Sequence, residues 1–83
     1  MEITAIKKGD RFVGRNSDGD EIIVEYGGLA DWLDDYKPGD IGYTRLVNRN
    51  FAGANFVTGG TQSENEAKLI NIINRNNMVK MED

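Results

Sequence analysis

Residues 36–57 read YKPGDIGYTRLVNRNFAGANFV, and this stretch limits the fold more than any other. Pro38-Gly39-Asp40 turns the chain. IGYTRLV then alternates, placing Tyr43, Arg45 and Val47 on one side of a strand and Thr44 and Leu46 on the other. NRN turns the chain again. FAGANFV runs back as an aromatic strand, and Gly53 within it predicts a bulge or a sharp bend.

The flanking residues extend this β-structure. ITAIKK and RFVGRN have the length and composition of strands, with a turn at Lys8-Gly9-Asp10 between them. Asp18-Gly19 predicts a tight hairpin, because a type I′ turn needs positive φ at both central positions. EIIVEY, residues 21–26, is the returning strand, rich in β-branched side chains. Gly27-Gly28 is expected to end it. In LADWLDDY, residues 29–36, Leu29, Trp32, Leu33 and Tyr36 recur at helical spacing. Asp31, Asp34 and Asp35 take the opposite face, and Pro38 stops the helix. This short acidic helix is expected to dock on the sheet with Trp32 buried, since two turns are not stable alone. A second helix follows Gly59-Gly60. Thr61 with Glu64, or Ser63 with Glu66, forms a capping box, and Leu69, Ile70, Ile72 and Ile73 make the apolar stripe. Asn76-Asn77 ends it, and MVKM adds a last short strand or trails.

The expected fold is therefore one small α+β domain over residues 1–83, in the order β-β-β-α-β-β-α. It is a strongly bent antiparallel sheet or an OB/SH3-like barrel with a short acidic helix and a C-terminal helix. The chain has 83 residues, no cysteine and no histidine. A domain of this size has about 4–10 kcal/mol of net stability. Neither a disulfide nor a thiolate metal site is open to it, and the commonest metal ligand and general base are missing. With only Ser17 and Ser63 as serines, the composition argues against an enzyme and calls for no cofactor. No apolar run approaches the length of a membrane span, and the first residues lack a signal-peptide pattern. The expectation is an intracellular, cytoplasmic protein that starts at its natural methionine.

The segment KPGD, its alternating strand and NRNFAGANFV resemble the closing half of TRAM and S1-type domains of the OB-like barrel class. KKGDRFVG and DGDEIIVEYGG loosely resemble the opening half. The resemblance implies RNA or single-stranded DNA binding, with Arg11, Tyr43, Arg45 and Arg49 supplying stacking planes and phosphate contacts.

Charge points elsewhere. The net charge is −4, yet residues 16–40 carry eight carboxylates against one lysine, Lys37. Charge segregated in this way steers partners, and Asp31, Asp34 and Asp35 are the candidate protein-binding residues. Asp18, Asp20 and Glu21 lack the register of a calcium loop, and TGGTQSE before the second helix has no P-loop lysine. The favoured expectation is a non-catalytic inhibitor or adaptor that engages a protein partner through charged faces, of the size common in phage and prophage genomes. The first alternative is the OB-like nucleic-acid binder. The second is a sponge for a small anionic nucleotide, held across a homo-oligomer interface.

Overall fold

The computed structural model describes residues 2–82. Its elements are β1 (Arg11–Arg15), β2 (Glu21–Leu29), β3 (Ile41–Val47), β4 (Asn50–Val57), α1 (Gln62–Arg75) and β5 (Val79–Lys80). The strands form one antiparallel sheet in the order β4-β3-β2-β1-β5. The architecture is small α+β, as the sequence predicts. The barrel is not formed: β4 and β5 stand at opposite edges of an open sheet.

One face of the sheet carries the core. Phe12, Val24, Tyr26 and Ile41 meet Leu69 and Ile73 of α1, with Met78 closing the far end. The capping box at Thr61 forms: the Glu64 amide donates to Thr61 Oγ1 at 3.2 Å, and the Thr61 amide donates to Glu64 Oε1 at 2.9 Å. The bond from the Thr61 amide, with the Thr61 side chain beside it, holds the Glu64 carboxyl below its ordinary pKa. The helix ends in a Schellman motif. Asn77 takes φ 54°, its amide donates to the Asn74 carbonyl, and the Met78 amide donates to the Ile73 carbonyl.

Two turns of the same kind start the strands on either side of β2. In Lys7–Asp10 and in Lys37–Asp40 the aspartate amide donates to the lysine carbonyl at 3.0 Å. The lysine amide donates back to the aspartate Oδ2, at 3.0 and 3.1 Å. Each turn has glycine at positive φ in its third position, Gly9 at 95° and Gly39 at 100°. Gly39 is also pressed against the start of α1, where an added Cβ would lie 2.7 Å from the Gly60 carbonyl oxygen. Asn65, fully buried, bridges this junction by donating to the carbonyls of Gly39 (2.8 Å) and Gly60 (3.1 Å).

Four local expectations are corrected. ITAIKK is not a strand, because the place beside β1 is taken by β5, with Phe12 opposite Lys80. The segment runs instead over the helix side: Ile3 and Ile6 pack on the core, and Ile3 exchanges two 2.8 Å hydrogen bonds with the Asn74 side chain. Gly27-Gly28 does not end β2. The strand passes through it to Leu29 with a register shift between Tyr26 and Gly28. The turn with positive φ at both central positions is not Asp18-Gly19 but Asn48-Arg49, at 50° and 68°, between paired Val47 and Asn50. Glu21 fixes it, since its backbone amide donates to Asn48 Oδ1 and its carboxylate accepts from Arg49 Nε. At 16–20 the Asn16 side chain accepts from the amides of Asp18 and Asp20, and Gly19 alone has positive φ. The fourth correction, the acidic helix, belongs to the site described next.

Two outcomes follow from this packing. The buried Tyr26 hydroxyl donates to Glu66 Oε2 at 2.6 Å, and burial with the adjacent carboxylate pushes its pKa far above the ordinary value near 10. The bond's contribution is complete below about pH 10, where Tyr26 is protonated folded or unfolded. It falls as rising pH ionises the unfolded chain first. Tyr26→Phe should cost about 1–2 kcal/mol at pH 7 and should flatten the loss of stability above about pH 10, the free tyrosine value, in urea titrations. Gly19→Ala, in open space, should cost about 1–2 kcal/mol for its backbone alone. Gly39→Ala adds a backbone collision and should cost measurably more in the same titrations.

Candidate functional site

Residues 30–40 form an anchored loop, not a helix. Its base is a hydrogen bond from the Ala30 amide to the Asp40 carbonyl at 2.9 Å, and both residues are buried. Two successive turns follow, Leu33 to Ala30 at 3.1 Å and Tyr36 to Leu33 at 3.2 Å. Each closes over three residues where a helix would close over four. Like charge is one term that opposes the helix. A helix would stack Asp31 on Asp34 and on Asp35, and like charges at three- and four-residue spacing are destabilising. So short a segment has no surplus to offset them.

The consequence for Trp32 is large. It is not in the core but 67% exposed. Its ring lies on that of Phe56 from β4, with centroids 5.5 Å apart and planes tilted by 59°, an arrangement that aromatic quadrupoles favour. Phe56 in turn covers Gly42 across the strand pair, where an added Cβ would lie 3.3 Å from the ring. Trp32, Phe56, Ala54 and Thr44 border a shallow recess of about 140 Å³ floored by Gly27, Gly28 and Gly42. This lies on the face of the sheet opposite α1. Asp31, Asp34 and Asp35 are all exposed in the loop that carries Trp32; none of them lines the recess, and Asp35 borders a separate cavity with Thr58, Gly59 and Gly60.

The same face carries a second apolar feature. Val79, Val13, Ile23, Leu46 and Phe51 stand opposite one another in successive strands, a single row across the whole sheet. Ile23 at its centre is buried, whereas Phe51 and Val79 at the ends are open.

The residues implied by the barrel resemblance are not gathered. Arg11 lies on the helix-free face and is bonded to Glu25 at 2.7 Å. Arg49 sits at the β3–β4 turn, its pKa raised by its 3.0 Å bond to Glu21. Tyr43 and Arg45 point to the other face, where Tyr43 packs against the core and Arg45 borders a groove with Ile72 and Met78. Two of the three arginines are thus already paired, and the tyrosine is half-buried. At the start of α1 the capping box occupies the amides of Thr61 and Glu64, two of those that a phosphate would use. Among the described residues no group of three or more carboxylates is placed to hold a metal ion, and no helix is long and apolar enough to cross a membrane.

The aromatic pair was not found from the sequence. Alternation places Phe56 only in a strand, and helical spacing directs Trp32 to the core. The signal that bears on it is the three aspartates, which oppose the helix that the apolar spacing favours.

No protein family, curated protein or solved structure matches the chain.

Trp32→Ala should therefore leave the fold intact. It should cost less than about 1 kcal/mol, as expected for an exposed position, where a buried tryptophan would cost about 3–5 kcal/mol. Thermal melts of the two proteins, with acrylamide quenching of the single tryptophan in the native state, check both statements.

Proposed function

We propose that this chain is a non-catalytic binding protein, an inhibitor or adaptor, that engages a basic protein partner through the 30–40 loop. Trp32 is the anchor, and Asp31, Asp34 and Asp35 are its electrostatic frame. The observation that carries this reading is the exposure of Trp32 on a well-anchored loop. Tryptophan is among the residues that most often dominate interface energies. A side chain already seated on Phe56 loses little freedom when a partner covers it. Carboxylates around an aromatic centre select a cationic partner and accelerate its approach.

The test uses the partner captured by the wild-type protein from its native host and identified by mass spectrometry. Trp32→Ala should weaken that complex at least about ten-fold, the loss of a modest hot spot. The triple change of Asp31, Asp34 and Asp35 to Asn should keep the melting temperature and slow association. The wild-type association rate should fall as salt is raised. Equal rates for wild type and triple variant at low and high salt, with equal melting curves, would reduce the acidic loop to a solvated surface. Partner binding would then have to lie on another face.

A further inference from the structure

We infer that the partner segment bound at this site is an extended, lysine- or arginine-bearing stretch of chain that adds as a sixth strand along the free edge of β4. This deepens the basic-partner proposal and rests on it. β4 is at the end of the sheet, and apart from its ladder with β3 its backbone makes no further backbone hydrogen bond among the described residues. Its sequence NFAGANFV has no charge and no proline. Proteins ordinarily blunt such an edge, because its unpaired amides and carbonyls are a template for another strand.

β4 is blunted only over its first half. Arg45 faces Gly53 while Leu46 faces Phe51, so Ala52 has no partner and bulges, with Gly53 at φ 146°. Beyond the bulge Ala54, Asn55, Phe56 and Val57 pair in regular register with Thr44 back to Ile41. That leaves a regularly paired edge four residues long with its outer side free, and Trp32 lies on Phe56 within it.

The position sets the chemistry of the incoming strand. Ala54 and Phe56 share the helix-free face, so alternate side chains of an added strand stand beside Phe56 and Trp32. A lysine or arginine there lays its stem on the rings and brings its charge to the indole face and to the carboxylates of the loop. An acidic segment would meet the loop's own Asp31, Asp34 and Asp35, which outnumber its single Lys37. A second copy of this chain, paired antiparallel at the same four residues, would bring two sets of Asp31, Asp34 and Asp35 to one edge. Like charge then opposes self-pairing.

The probe is a blocked octapeptide of alternating lysine and valine. It is compared with its glutamate-valine counterpart and with two versions methylated on one or the other alternate set of backbone nitrogens. Binding is read from Trp32 emission and from hydrogen exchange at residues 54–57. The lysine peptide should give a saturable emission change and slow exchange at 54–57. One methylated version should bind at least about ten-fold more weakly, since methylation removes ladder donors without changing charge. Equal binding by both methylated versions would overturn strand addition and leave the basic-partner proposal standing. Equal binding by the glutamate peptide would overturn the charge class. Exchange at 54–57 that slows with protein concentration alone would assign the edge to a second copy. No binding of the lysine peptide also overturns the inference, while the association rates above judge the partner proposal separately.

Discussion

Tyr26 is the residue on which the rest of the molecule hangs. Its ring fills the centre of the core, and its hydroxyl reaches across to Glu66 of the helix. Its backbone carbonyl accepts from Gly9 and its amide donates to the Asp10 carbonyl, so the first lysine-to-aspartate turn is built directly onto it. Tyr43 stands opposite on β3. Helix, central strand and β1 entry are therefore positioned by one side chain and its peptide groups. A buried phenol is tolerated because a carboxylate accepts its hydrogen bond at short range, which removes the cost of an unpaired hydroxyl.

The second such turn has a different task. It begins β3, and through Gly39 and Asn65 it is bound to the start of α1. The loop before it is thus fixed at both ends while its middle stays out of the core. Three aspartates there oppose a helix, and Trp32 finds its partner outward, in Phe56. Stability and recognition are separated in space here: the core lies on the helix side, the exposed aromatics on the other.

Much of this was legible in the sequence where a local rule and the global packing agree. The alternation in IGYTRLV, the aromatic return strand, the Gly53 bulge and the capping box at Thr61 all read directly, because each depends on residues close in the chain. The failures have long-range causes. ITAIKK has strand composition, but Val79 and Lys80, far along the chain, occupy its place. Asn48-Arg49 takes the demanding turn where Glu21 and Asp20, far off in the sequence, hydrogen-bond to it. Apolar spacing in LADWLDDY predicts a helix with an acidic outer face, and the segment instead forms two successive turns. As a result the loop carboxylates were legible as a candidate surface, whereas the Trp32–Phe56 pair, made by residues 24 positions apart, was not.

The paired hydrogen bonds between Ile3 and the Asn74 side chain span 71 positions of sequence. The β2–β3–β4 meander, by contrast, closes through neighbouring segments. Such separation sets an order in time. Hairpins joined by short loops form early, and a clasp between distant segments forms only once both sides of the sheet and the helix are in place. Its energy is then absent from the folding transition state. Weakening the clasp shortens the lifetime of the native state while the chain still folds at nearly its former speed. The segment around Ile3 therefore acts as a latch on the finished molecule, governing how long the core stays shut.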